Sequence, residues 1–267
     1  MKKVFAILAV FALVCAGCSK DKNENAITVG ATPEPHAEML TLIVPELAKE
    51  GYTLKVTEFT DYTTPNEALE SGQLDANFFQ HLPYLESFNK EKGFHLVSAG
   101  GIHIEPIALY SRKYSSLEAV SDGATIAIPN DPTNEGRALL LLQSAGLITL
   151  NSAAGITATP LDITENGKKL KFREIEAASL PRVLDDVDAA VINGNYAIPA
   201  GLNAKRDGLY VEGADSPYVN VVAVKAGSEN KPAIVALVKA LQSGKIRDYI
   251  NARYPDGEVV PVFESGE

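Results

Sequence analysis

The sequence predicts an α/β protein made of two consecutive units with a cleft between them. Three observations predict it. Short β-branched apolar runs alternate with stretches whose apolar residues recur at helical spacing. The alternation restarts at Thr125 after a polar stretch, which opens a second unit. A late apolar run, Val219 to Lys225, precedes two closing helices that can return to the first unit. Two lobes joined by more than one crossing segment make a hinge, and hinged clefts hold small ligands.

In the first unit, Ile27 to Ala31 (ITVGA) is the opening strand. Pro35 to Lys49 follows as a helix with Met39, Leu42, Ile43 and Leu47 on one face. Thr53 to Phe59 is a second strand, and Pro65 to Gly72 a short helix with Pro at its start and Gly at its end. Ala76 to Phe79 is a short strand leading into a helix over Pro83 to Lys92. Leu96 to Ala99 and Ile104 to Ser111 read as two further strands.

In the second unit, Thr125 to Ile128 is a strand, and the turn Pro129 to Arg137 carries it into a helix that Gly146 closes. Lys171 to Glu176 is a strand, Ser179 to Asp185 a short helix, and Ala189 to Asn193 a buried strand. Pro232 to Ser243 and Lys245 to Arg253 are the closing helices. The expected division is residues 26–110 with 220–267 in one lobe and 111–219 in the other.

The N-terminus carries a different signal. Lys2 and Lys3 precede an unbroken apolar run, Val4 to Val14, too short for a stable bilayer span, and Ala16-Gly17-Cys18 follows. This is the layout of a secretory signal peptide over residues 1–17. Its ending resembles the lipobox of bacterial lipoproteins, with Cys15 at the position where Leu is usual and Cys18 as the lipid-bearing first residue of the mature chain. Residues 18–25 are then a polar tether, and acylation at Cys18, palmitate included, would anchor the domain to a membrane surface.

Composition narrows the partners. The net charge is −10, an acidic balance that repels phosphate backbones and argues against nucleic acid. Both cysteines lie in the first 18 residues, so the body has no disulfide and no Cys-based metal site. Four scattered histidines, His36, His81, His95 and His103, with Glu105 or Asp61 give no compact ligand pattern, and no metal or cofactor is expected. No phosphate-binding glycine loop and no hydrolase motif occurs.

Two groups could recognise a ligand. Arg137 lies in the first turn of its helix, just past the carboxyl end of a strand, where α/β sheets bind ligands and helix starts favour anions. Its guanidinium fits a carboxylate, although an inter-lobe salt bridge would use it equally well. Tyr62, Phe78, Phe79, His81 and Tyr84 form an aromatic cluster that could wall an apolar or thioether chain, or simply fill a core. Adjacent strand residues face opposite ways, so one of Phe78 and Phe79 faces the cleft; Phe79 shares parity with His81. Asn193, Asn195, Tyr196 and Asn220 lie at strand ends, where amides hold amino-acid backbone groups or form turns.

Several segments resemble the methionine-binding lipoproteins of ABC importers, the MetQ/NlpA family. They are Gly30-Ala-Thr-Pro-Glu-Pro-His-Ala-Glu38, Phe59-Thr-Asp-Tyr-Thr-Thr-Pro-Asn-Glu-Ala-Leu69, Asp75-Ala-Asn-Phe-Phe-Gln-His-Leu-Pro-Tyr-Leu85, Ile128-Pro-Asn-Asp-Pro-Thr-Asn-Glu-Gly-Arg137, Leu184 to Ala197 and Ser216-Pro-Tyr-Val-Asn220. The resemblance implies a two-lobe periplasmic-binding-protein fold, with a hinge and an interdomain ligand cleft, that closes on a free amino acid. It implies that Arg137 grips the carboxylate, that Asn193 and Asn220 hold the backbone groups, and that Tyr62, Phe79, His81, Tyr84 and His103 surround the thioether. It further implies a monomeric, non-enzymatic protein in the cell envelope that delivers methionine to an ABC permease. L-Methionine is the first expectation; D-methionine, a methionine-containing dipeptide or another amino acid is the alternative, ahead of an enzyme or an adhesin on the same fold. The segment His103-Ile-Glu105-Pro106 varies within the family.

Overall fold

A computed structural model describes residues 25–213 and 216–264. The expected signal peptide, Cys18 and nearly all of the tether lie outside the described residues. Among the described residues, no helix is long and apolar enough to cross a membrane.

Thirteen strands and nine α-helices are present among the described residues. The first sheet contains β1 (Ala26–Ala31), β2 (Thr53–Glu58), β3 (Ala76–His81), β4 (Leu96–Ile104), β12 (Val219–Lys225) and β13 (Val260–Pro261). Their spatial order is β13-β4-β12-β3-β1-β2. β1 runs parallel to β2 and β3, while β12 inserts antiparallel between β3 and β4. The second sheet contains β5 (Ala108–Tyr110), β6 (Thr125–Pro129), β9 (Lys171–Ile175), β10 (Ala189–Ile192) and β11 (Gly208–Val211), ordered β11-β5-β10-β6-β9. β7 (Thr149–Leu150) and β8 (Ile163–Glu165) form a small separate ladder.

Helices cover both faces of each sheet, as parallel strands require. In the first unit, α1 (Glu38–Lys49), α8 (Pro232–Leu241) and α9 (Gly244–Arg253) bury Met39, Leu40, Ile43, Leu47, Leu237 and Ile250 against β1, β3 and β12. α2 (Thr64–Glu70) and α3 (Leu82–Lys92) cover the opposite face through Leu69 and Leu85, with Leu74 from the segment that follows α2. In the second unit, α4 (Pro132–Ser144) packs Ala138, Leu139, Leu141 and Leu142 on one face. The short helices α5 (Leu180–Val183), α6 (Gly194–Ala197) and α7 (Ala204–Asp207) close the other.

Several expectations are corrected. The strand expected over Leu96 to Ala99 runs on through Gly100-Gly101 to Ile104 as β4. Those glycines do not break it; they admit close neighbours. A Cβ at Gly100 would meet Val238 Cγ1 at 2.6 Å, and one at Gly101 would meet Val219 Cγ1 at 2.9 Å. The expected strand Ile104 to Ser111 is split instead at Glu105-Pro106, because proline cannot donate to a ladder. Ala108–Tyr110, expected in the first lobe, pairs with β10 and β11 in the second sheet. Val219, expected in the second lobe, pairs with Ile104 in the first sheet. On α1, Leu40 is fully buried while the expected Leu42 only packs at the margin.

The chain therefore passes between sheets twice: at residues 105–107, from β4 to β5, and at residues 212–218, from β11 to β12. The second unit is an insertion between two antiparallel neighbours of the first.

Candidate functional site

Two strand-to-helix junctions face each other between the units. At the first, β3 ends in His81, whose imidazole caps α3: Nδ1 accepts the Tyr84 N–H at 3.1 Å. The ring proton therefore sits on Nε2, which donates to Asn134 Oδ1 at 3.1 Å across the gap. At the second, Asp131 caps α4 by accepting the Asn134 N–H at 3.0 Å. The same carboxylate holds the Asn134 side-chain NH2 at 2.9 and 3.0 Å. That fixes the amide orientation, so Oδ1 receives both His81 and the Asn193 side-chain NH2, the latter at 2.7 Å.

Arg137 is in the second turn of α4 rather than the first, because the helix starts at Pro132; the Asp-Pro pair is a cap plus first-turn proline, not a turn. Gly136 beside it is required by crowding, since a Cβ there would lie 2.2 Å from the Ile156 carbonyl oxygen. The Arg137 guanidinium is 4% exposed and bridges both crossovers. Nε donates to Glu212 Oε1 at 2.9 Å, and Nη2 pairs with Glu212 Oε2 and donates to the Glu105 carbonyl at 2.8 Å. One face lies 4.2 Å from the centre of the Tyr218 ring. Nη1 is left without a partner among the described residues.

His81, Asn134, Arg137 and Asn193 line a narrow cavity of about 20 Å³, together with Tyr62, Phe79, Gln80, Tyr84, Glu105, Gly194, Asn195 and Asn220. That is room for about one water, far below the roughly 300–1,000 Å³ typical of small-molecule pockets, so the walls must part to admit a ligand. The aromatic cluster forms one wall: Tyr62 lies 5.9 Å from Phe79 and 5.8 Å from Tyr84, centre to centre. The units touch directly around it. Tyr62 donates to Asn195 Oδ1 at 2.6 Å, and Tyr196 stacks on Tyr62 at 4.9 Å while donating to the Thr60 carbonyl at 3.2 Å. No serine, threonine, cysteine or lysine is among the described residues that line the cavity.

Behind the cavity, Glu105 Oε1 lies 2.7 Å from His103 Nε2 and 3.3 Å from His36 Nε2. Nδ1 of His36 lies 2.8 Å from the Thr32 hydroxyl, and its Nε2 also reaches Asn220 Oδ1 at 3.3 Å. Both rings are fully buried, and burial pushes them down to about 4 for His36 and about 3 for His103. Burial likewise pushes His81 down to about 3 and the Glu105 carboxyl up. His36, His103 and Glu105 are the grouping among the described residues with the donors for a metal, all within 4.8 Å of one another. The 2.7 Å His103–Glu105 separation is a hydrogen-bond length. It is shorter than the roughly 3.3 Å edge of a tetrahedron with zinc bonds of about 2.0 Å. The triad is hydrogen-bonded as it stands.

Of the residues expected at a ligand site, Tyr62, Phe79, His81, Tyr84, Arg137, Asn193 and Asn220 meet on the one cavity. Phe78 turns into the core, as strand alternation requires of the partner of Phe79. His103 does not line the cavity; it stands behind Glu105, packed against Phe78 at 5.4 Å and His36 at 5.0 Å. Asn134, Glu212 and Tyr218 were not anticipated as site residues; Glu105 was expected only as part of the pocket-lining segment His103-Ile-Glu105-Pro106, with no role of its own in ligand binding. Asn134 and Tyr218 lie inside motif segments read from the sequence, and Glu105 precedes a strand-ending proline, which was a usable signal; Glu212 carried none.

Four buried polar atoms in and behind the cavity have no hydrogen-bond partner among the described residues: Asn193 Oδ1, Asn195 Nδ2, the Tyr218 hydroxyl and His103 Nδ1. Such atoms are costly unless something else meets them.

Comparison with known proteins places this geometry in context. The profile of the family described as NlpA lipoprotein matches residues 27–263. The methionine-binding lipoprotein MetQ of Bacillus subtilis (strain 168) is 44% identical over 275 aligned positions, spanning 99% of this chain and 100% of the relative. A nutrient-binding protein from Burkholderia cenocepacia, solved bound to methionine, is 50% identical with a TM-score of 0.85, covering 89% of this chain and 100% of that one. An ABC transporter periplasmic substrate-binding protein from Coxiella burnetii is 45% identical with a TM-score of 0.84, covering 88% of this chain and 100% of that one.

Proposed function

The chain belongs to the NlpA lipoprotein family, and on that premise we propose that it captures methionine, L-methionine first, and hands it to an ABC permease while anchored by lipid at Cys18. It has the periplasmic-binding-protein fold of its relatives. The names of three relatives support the reading: one binds methionine, one was solved with methionine, and one serves an ABC transporter. It acts as a monomer at the envelope, facing the periplasm or exterior, and breaks no bond. That last point follows the family, whose relatives include a substrate-binding protein of an ABC transporter.

The observation that carries the reading is the union of Arg137 and the aromatic wall on one closed cavity between the units. Arg137 takes the ligand carboxylate through Nη1. Asn193 and Asn220 take the backbone groups. Tyr62, Phe79, His81 and Tyr84 surround the thioether, a polarisable group that favours ring contacts. His103 acts from behind Glu105. Closure of the two lobes around the crossovers is the form presented to the permease.

Calorimetry on protein freed of ligand by unfolding and refolding tests this. L-Methionine is expected to bind with micromolar or tighter affinity, with D-methionine and methionyl dipeptides measured alongside. Arg137→Ala is expected to lose about 100-fold or more, the usual penalty for removing a desolvated charge from an ionic contact. A folded protein that binds no amino acid and no methionyl dipeptide refutes the reading.

A further inference from the structure

We propose that Glu105, hydrogen-bonded by His36 and His103, receives the ligand's α-ammonium group and so restricts the site to ligands with a free amino group. This rests on the amino-acid-binding reading above and deepens it.

Charge accounting on the cavity leads there. The Arg137 guanidinium already has a resident counter-ion, Glu212, held through two nitrogens. Glu105 has none. Its two ring partners are neutral at neutral pH, because burial holds His36 and His103 at about 4 and about 3. They donate N–H groups to Oε1 but supply no positive charge. With Arg137 engaged by Glu212, an ionised Glu105 has no cation of its own on the cavity lining. A zwitterion's ammonium would balance it, and Asn193 Oδ1, buried on the same cavity without a donor, supplies a second acceptor.

The local structure preserves access to this carboxylate. Glu105 packs against Gly194, where a Cβ would lie 2.9 Å from Glu105 Oε2 and 2.9 Å from its Cβ. Any other residue at 194 would displace the acid. The backbone N–H of Asn195 favours the ionised form. Thr32 orients His36 by occupying Nδ1, which leaves the Nε2 proton for Glu105 and Asn220. The carboxyl is thus aimed from three sides and lined up with the cavity that Arg137 and the aromatic wall share.

The test compares L-methionine with two analogues that keep its carboxylate and thioether: the α-hydroxy analogue, which lacks the ammonium, and N-acetyl-L-methionine, which neutralises it. Both are titrated into the wild type and Glu105→Gln by calorimetry. The wild type is expected to prefer methionine over the hydroxy analogue by about 100-fold or more, since a site built to pair a polar group rejects ligands without it. Glu105→Gln is expected to lose most of that preference by weakening methionine alone. A wild type that binds the hydroxy analogue as tightly as methionine overturns the proposal, whatever becomes of the variant. So does a folded variant that weakens both ligands equally, because that is a structural effect. A wild type that binds neither overturns the amino-acid-binding reading and this inference with it; methionine binding with unchanged preference in the variant overturns the inference alone.

Discussion

Arg137 offers five N–H donors, and three of them are already committed inside the protein. Glu212 holds the far edge of the guanidinium, the Glu105 carbonyl takes another N–H, and Tyr218 covers one face at 4.2 Å. A side chain so held loses little freedom when a ligand binds. Glu212→Gln replaces one acceptor oxygen with a donor facing Nη2, so the fork loses its fixed direction. It also removes a charge that competes for Arg137. Positioning is expected to win: methionine affinity falls about 10-fold in calorimetry, in line with the loss of one charge-assisted hydrogen bond. Tighter binding would show instead that Glu212 blocks the anion site. At this scale the sequence was partly legible. Arg137 could be read from its place after a strand, and Phe79 from parity with His81. Glu212 could not, because an acid in a crossing segment looks the same as a solvated one until the fold turns it inward. His103 was assigned to the wall by the resemblance alone, and the fold sets it behind Glu105.

The two strand-to-helix junctions are the elements that set the site. Each helix starts at the cavity, so α3 and α4 both direct the positive ends of their dipoles there, while His81 and Asp131 cap the Tyr84 and Asn134 N–H groups. Asp131 does two things for α4: it caps the first turn, and it points the Asn134 amide at His81 and Asn193. Asp131→Ala is therefore expected to cost about 1–2 kcal/mol of stability by denaturant melts and also to weaken methionine binding several-fold, a combination that a plain cap would not give. Glu135, also in the first turn, is pushed up to about 7 by burial and by Glu174 and Asp131 nearby. In the unfolded chain it titrates as an ordinary acid. Between those two values the folded protein binds the extra proton, so stability falls as pH rises through the window and the loss is complete above it. Glu135→Gln removes that loss. Its Tm is expected to exceed wild type by about 2–4 °C at pH 8, scaled to a chain of this size, and to match it near pH 4.5. Equal Tm values at both pH values would mean that the acid is not strained. Helix starts were the least legible feature of these elements. Asp131-Pro132 reads as a turn in isolation, and only the side-chain bond to Asn134 makes it a cap.

At the scale of the whole molecule, the cavity is closed by contacts that must separate for a ligand to enter: Tyr62 to Asn195, His81 to Asn134 and Tyr196 to Thr60. Both crossovers converge on Arg137, so an occupant of the cavity presses on the hinge itself. Solution scattering is expected to give a smaller radius of gyration with saturating methionine than without it. Ligand at 100 times Kd should also raise Tm by roughly 5–10 °C. Unchanged scattering together with a raised Tm would place the free protein in the closed form already. The two-unit plan was legible from the restart at Thr125 and the late strand at Val219. The transfer of Ala108–Tyr110 to the second sheet was not, because three apolar residues carry no mark of which sheet they join.

The position of β12 bears on how the polypeptide is made. It is the middle ribbon of the first sheet, yet more than two hundred residues precede it. As the chain emerges from its N-terminus, the whole of the inserted unit is available before this ribbon arrives. The earlier-made half meanwhile holds β3 and β4 apart with bare edges, the state most prone to pairing with a stranger. Any premature stop before Val219 would leave a finished guest inside an unfinished host.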